Sequence, residues 1–454
     1  MMRVNRAFAI IMALILAFSF TACGSSNNSA TGTKTDAAPA QSSNTPAEYP
    51  PVTIEYWHIN SETQGGPVVE ELIKKFNETN GKNITVVGKF NSNAYQGVAE
   101  NLQASLAVGE YPGVVQVGWN YLNYFAENFP QYTSPTDIIA NYAPEDKDFL
   151  SSKLEDNILD LGTAANGTIL GLPYACSTPV MYINADLFKA AGLDPENPPK
   201  TLDEAIAAGK QIKDKTGNEG FYVEVIANTY ALNPLILSTG AKMYEMQNDK
   251  PVATFYTPDV VNVFTKWQNG FKSGACTNIG SEEALGAFAS GKIGMLIATI
   301  GKVNYMQKSC KFDLRTAAYP STGNDYSLCV GGNMLVCFGD KENADEIRAC
   351  WEFMKFLYED DNMADWVLGT GYLPTTKTAI QNSEKLKKYM SENTLMKPAI
   401  DTFGNAVAWT SWPGANGLQV DQVLIDMRDA IISDYADVDT TIKQAQDDVN
   451  KLLS

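Results

Sequence analysis

His58 is the only histidine in 454 residues, so any mechanism that needs an imidazole would pass through that one side chain. A metal site built from several histidines is excluded, and the seven cysteines form no C-x-x-C pair, which removes the usual zinc and thioredoxin patterns. No GxxxxGK[ST] run occurs, so any nucleotide-driven step belongs to another chain. Fifty-two acidic residues leave open a glycosidase-type pair, which needs carboxyl groups about 5 Å apart for retention and farther for inversion. More telling are aromatic and planar polar side chains at segment ends. Trp57 and His58 close one apolar run, Gln116 and Trp119 another, Asn333 follows Gly331-Gly332, and Trp409 and Trp412 flank Thr410-Ser411. Aromatic faces covering a C–H surface, with amides on the hydroxyls, are the chemistry of holding a neutral sugar. Each position also has a bland reading. A tryptophan can be core, and paired glycines can mark a bulge or hinge rather than close approach of a ligand.

The elements that must position these residues alternate strand and helix. Val52 to Trp57, Ile84 to Val87 and Val114 to Val117 read as strands, and Val69, Leu72, Ile73 and Phe76 behind Pro67 stripe a helix. Val98, Leu102 and Leu106 stripe the next. Asn184 caps a helix that Gly192 closes, and Thr201 with Glu204 forms a capping box. Residues 291–297 form a turn and buried strand leading to Thr299. Residues 328–338 are a strand interrupted at Gly331-Gly332-Asn333, and Ile347, Cys350, Trp351, Met354 and Leu357 make an amphipathic helix. Such alternation implies α/β architecture with a parallel or mixed sheet and site loops at strand ends. A chain this long is expected to divide into two lobes. Its formal charge of −18 disfavours nucleic acid.

Arg3 and Arg6 precede an apolar run from Ala7 to Phe20, too short to span a bilayer and shaped like a signal peptide over residues 1–22. Phe20-Thr21-Ala22-Cys23-Gly24 resembles a lipobox, which implies a lipidated Cys23. Residues 23–51, poor in apolar side chains, read as a disordered tether with a reach of about 30 Å. Cysteines 176, 276, 310, 329, 337 and 350 lie mostly in apolar segments and read as buried thiols, with one or two disulfides also open to an exported chain.

Several motifs fall in one family's order. Ser177-Thr178-Pro179-Val180, Tyr182-Ile183-Asn184, Ala191-Gly192-Leu193-Asp194-Pro195, Phe288-Ala289-Ser290-Gly291-Lys292 and Thr370-Gly371-Tyr372-Leu373-Pro374 resemble the extracellular solute-binding proteins (family 1) of sugar ABC importers. Among them, the glycerol-3-phosphate-binding members are most similar. The resemblance spans residues 52–452. It implies the type II periplasmic-binding-protein-like fold, two lobes each with a mixed sheet flanked by helices and a ligand cleft between them. By that analogy lobe 1 is 52–172 plus 301–345, and lobe 2 is 173–300 plus 346–454. It also implies no catalysis, no cofactor, a monomer held at the outer face of the cytoplasmic membrane by its lipid, and delivery of the ligand to a permease with a separate ATPase. Tyr95, Cys176, Ser177, Thr299 and Tyr372 join the expected ligand contacts. Two departures bear on the ligand: Trp119 stands where glycerol-3-phosphate-binding members carry an acid, and Trp412 where they carry the phosphate-gripping Arg. That exchange favours a stacking site for a sugar over an anion site, with Trp412 on the cleft wall. A glycerol-3-phosphate or glycerophosphodiester binding protein of the same transporter class, a secreted carbohydrate-active enzyme and a surface sensor are the rivals.

Overall fold

Strand β1 (Val52–His58) pairs in parallel with β2 (Ile84–Phe90) and β3 (Gly113–Gly118). The connecting helices explain the parallel order. Gly66–Thr79 starts on Pro67 and buries Val69, Leu72 and Phe76, while Ala94–Ala107 buries Val98, Leu102 and Leu106. The computed structural model describes residues 50–454 except residue 165, residues 224–228, residue 249 and residues 324–325. The expected signal segment, Cys23 and the tether up to residue 49 lie outside the described residues.

β4 (Leu172–Ser177) and β5 (Pro179–Asn184) are separated by Thr178 alone, yet they serve different sheets. The Asn184 side chain caps the helix Ala185–Ala191, and Gly192 ends it in the left-handed conformation. The capping box of Thr201 and Glu204 opens Leu202–Thr216. β6 (Glu219–Val223), the hairpin β7 (Tyr244–Gln247) and β8 (Lys250–Ala253), β9 (Ile293–Thr299), β10 (Leu314–Ala318), β11 (Leu328–Phe338) and β12 (Ala406–Ala408) follow. Among the described residues the first sheet runs β12-β11-β3-β1-β2 with β4 also on β11, and the second runs β10-β5-β9-β6. Both are mixed sheets flanked by helices, as expected for a two-lobed α/β chain.

Several boundaries differ from the sequence expectation: residues 173–177 of β4 and the strand β12, expected in lobe 2, pair with β11 in the first sheet. β10 pairs antiparallel with β5, so residues 314–318 belong to the second sheet rather than to lobe 1. Helices Ala344–Leu357 and Asp360–Thr370 share one core with β1 and β2, burying Ile347, Cys350, Trp351, Met354 and Trp366 against Ile54, Tyr56 and Val86. They belong to the first lobe, not to lobe 2. All six described cysteines are unpaired, five buried and Cys310 half-buried, so the buried-thiol reading holds and no disulfide forms among them. No helix among the described residues is long and apolar enough to cross a membrane.

The strand expected to break at the glycines runs unbroken through them. Residues 328–330 of β11 lie parallel to β12, residues 331–335 antiparallel to β4, and residues 333–338 antiparallel to β3. Gly332 sits at φ 112°, where a Cβ would stand 2.0 Å from the Ala175 carbonyl oxygen. Gly332→Ala therefore has both the wrong backbone conformation and no space, and is expected to lower stability by at least ~2 kcal/mol. Urea unfolding checks this. An unchanged midpoint would show that the two strands can separate freely.

Candidate functional site

The end of β3 and the middle of β11 bring together side chains far apart in sequence. Asn333 Nδ2 donates to the Tyr95 hydroxyl at 3.2 Å, and Tyr95 in turn hydrogen-bonds to Tyr372. Tyr95 rests on bare backbone, since a Cβ at Gly118 would lie 2.8 Å from its own Cβ. Tyr372 stacks on Trp366 with ring centroids 5.7 Å apart and planes 11° from parallel. Asn333 Oδ1 and Asn120 Oδ1 are both buried without a hydrogen-bond partner. Two such acceptors are expensive to leave unmet, and a ligand that donates hydrogen bonds would satisfy them.

A second set of contacts crosses from the segment after β3 to the segment after β12. Asn120 Nδ2 donates to Asp421 Oδ2 at 2.7 Å, and Thr229 Oγ1 donates to Asp421 Oδ1 at 3.1 Å. Trp409 Nε1 donates to Thr229 Oγ1 at 3.0 Å, and the Trp409 ring lies 5.5 Å from that of Tyr230. Ser411 Oγ donates to the Asn120 carbonyl at 3.1 Å and accepts from the Asn123 backbone N–H at 2.9 Å. Loss of hydration raises the Asp421 carboxyl to about 6 despite the hydrogen bonds from Asn120 and Thr229. Tyr230 closes the third side. Its ring lies where a Cβ of Gly331 would be, 2.5 Å away, and its hydroxyl donates to the Ser177 carbonyl at 3.3 Å.

The arrangement holds aromatic rings, amides and hydroxyls and one carboxylate, but no cation. Arg315 pairs with Asp313 and Glu196, Arg348 with Asp345, and Arg428 with Asp429. No group of three or more metal-ligating side chains occurs among the described residues. The model of the family described as bacterial extracellular solute-binding protein matches residues 71–396. The chain belongs to that family. As a solute-binding protein it is not an enzyme. The sn-glycerol-3-phosphate-binding periplasmic protein UgpB of Pectobacterium atrosepticum is 29% identical over 73% of this chain and 75% of its own length. The protein of the same name from Escherichia coli K12 is 27% identical over 72% and 75%. Among solved structures, UgpB of Mycobacterium tuberculosis with glycerophosphocholine covers 88% of this chain and 98% of its own at a TM-score of 0.75 and 22% identity. The cyclic alpha-maltosyl-1,6-maltose binding protein of Arthrobacter globiformis covers 89% and 99% at 0.72 and 22%. These likenesses carry the two-lobed fold.

Not every residue expected at the site of this solute-binding protein reaches it. Tyr95, Gly331, Gly332, Asn333, Tyr372 and Trp409 converge as described. Trp119 is buried beside them, its Nε1 donating to the Ala175 carbonyl at 3.3 Å. Ser177 and the fully buried Cys176 contribute backbone, the Cys176 carbonyl accepting from Leu373 N–H at 2.8 Å. Gln116 has no free hydrogen-bonding end. It donates to Tyr56 Oη and Asn60 Oδ1 and accepts from Ile59 N–H, so it fixes the loop after β1. Trp57 is held within the first lobe by Glu55 Oε2 at 2.6 Å, with Lys89 Nζ 4.3 Å over its ring. His58 packs between Tyr56 and Phe90, and burial lowers its pKa to about 4. It lines a separate groove of about 870 Å³ with Glu62, Glu70, Ile73 and Phe90. Thr299 Oγ1 is taken by the Gly301 N–H at 3.1 Å. Asn120, Thr229, Tyr230, Ser411 and Asp421 were missed. Asn120 directly follows Trp119, whereas nothing local marks Asp421 among fifty-two acids.

Trp412 requires a correction. It is 1% exposed and packs into a hydrophobic core that draws on both lobes, its ring 5.4 Å from that of Tyr244, and so is not a free wall of the cleft. A tryptophan in a loop looks alike in sequence whether it faces a ligand or a core. Trp412→Ala is thus expected to lower stability by ~3–5 kcal/mol. A thermal or urea melt checks this, and full stability with lost binding would return the ring to the cleft.

Proposed function

We propose that this chain captures a neutral sugar or oligosaccharide between its lobes and delivers it to the membrane permease of an ABC importer powered by a separate ATPase. The observation that carries the reading is the pair of buried, unpartnered amide oxygens of Asn120 and Asn333 beside Tyr95. Sugar hydroxyls are donors and would satisfy both, and the buried rings of Tyr230 and Trp409 pack against each other beside Thr229. The relatives named for sn-glycerol 3-phosphate favour a second reading, a phosphate ester. Against it, all three arginines in the described residues are engaged with carboxylates. A phosphate lacking such a partner forgoes a charge-assisted bond of about 1.5–3 kcal/mol. Closure would be a hinge movement in which only the closed form contacts the solute from both lobes.

Isothermal titration with glycerol 3-phosphate, maltose, maltotriose and mannotriose tests the choice. A saccharide is expected to bind at micromolar Kd or better, about −8 kcal/mol, and glycerol 3-phosphate weakly or not at all. Tight glycerol 3-phosphate binding with no saccharide response would overturn the reading.

The same proposal places the protein as a monomer at the outer face of the cytoplasmic membrane, its lipid on Cys23 and residues 23–51 as the tether. Cys23→Ala is expected to release it into the medium with sugar affinity unchanged. Retention in salt-washed membranes would remove the anchor from the proposal.

A further inference from the structure

Asp421 is an unusual group to find where two lobes meet. It stands on the helix Gly417–Ile432 of the second lobe, only partly exposed, and its two oxygens accept from Asn120 of the first lobe and Thr229 of the second. Among the described residues no lysine, arginine or histidine nitrogen lies within ion-pair distance of it. The side chains whose own ionisation it opposes, Tyr121 and Cys329, are uncharged at neutral pH, Tyr121 being pushed up to about 12. A carboxylate removed from water without a counter-charge is unfavourable for folding alone. At neutral pH and above it leaves a negative charge at the site.

We infer that Asp421 is the residue that sets ligand specificity in the proposed cleft, admitting neutral hydroxyl-bearing solutes and rejecting anionic ones. The inference rests on the sugar-binding reading above and names the group that enforces it. Two arguments support it. First, donor and acceptor types match one ligand class: Asn120 Oδ1, Asn333 Oδ1 and the Asp421 oxygens are all acceptors, which hydroxyls can serve and a phosphate dianion cannot. Second, the charge itself opposes an anion, and the poorly hydrated surroundings leave that repulsion weakly screened. A purely structural strut between the lobes would act differently, because its loss would weaken every ligand alike.

The experiment compares the full-length protein with Asp421→Asn and Asp421→Glu, titrating each with maltotriose, glycerol 3-phosphate and inorganic phosphate at one pH and ionic strength. Asp421→Asn removes the charge while keeping the shape. It is expected to weaken maltotriose, which loses an acceptor, and to tighten glycerol 3-phosphate as a weakly screened like charge is removed, so that the ratio of anion to saccharide affinity rises by about tenfold or more. Asp421→Glu should retain the wild-type ranking. An unchanged ratio of anion to saccharide affinity in Asp421→Asn, including equal weakening of all ligands, overturns the assignment even if the sugar reading stands. Tight glycerol 3-phosphate binding by the wild type overturns the sugar reading itself. Melting curves accompany each titration, and Asp421→Ser supplies the same comparison if Asp421→Asn does not fold.

Discussion

The close passage of β11 over β4 at Gly332 is the contact on which the site depends. The Ala175 carbonyl stands where a side chain at 332 would begin, and the same carbonyl accepts from Trp119. One residue earlier, Gly331 leaves room for the Tyr230 ring, and one residue later Asn333 reaches Tyr95. Three consecutive positions therefore connect the second lobe's ring, the strand that links the lobes and the first lobe's hydroxyl. Larger residues at either glycine would separate the strands and displace both aromatic groups.

Polar bonding across the lobes is concentrated rather than diffuse. Asn120, Asn123 and Glu127 of the first lobe meet Ser411, Gly414 and Asp421 of the second through short hydrogen bonds. Hydrogen bonds of this kind contribute modestly in net terms because open lobes exchange them for water. A solute bridging both sides can tip the balance between open and closed forms.

Local structure was legible because its causes are local. Asn184, Gly192, Thr201 and Glu204 act on their own helix ends, and the strand and helix periodicities of residues 52–117 survived nearly unchanged. Long-range assignment was not. The apolar stripe of Ile347, Cys350, Trp351 and Met354 reveals which face is buried but not against which sheet, and five residues of β10 do not announce β5 as their neighbour. At the site, Asn333 could be picked out from the glycine pair before it, and Tyr372 from the Gly371 turn that precedes it. Gln116 and Trp412 could not be told from site residues, because a satisfied amide or a packed indole has the same letter as an open one.

The order of strands has a consequence for how the chain acquires its fold. β11 lies between β3 and β4 in space, yet it follows β3 by more than two hundred residues and comes after every strand of the second sheet. Until it arrives, β3 keeps an open edge and β4 has no partner in the first sheet. Closing so long a loop is slow relative to local steps, and the waiting edge is exposed to pairing with other chains. The second sheet, whose four strands lie between residues 179 and 318, can assemble first. The sheet that begins the chain is accordingly the last sheet to be completed.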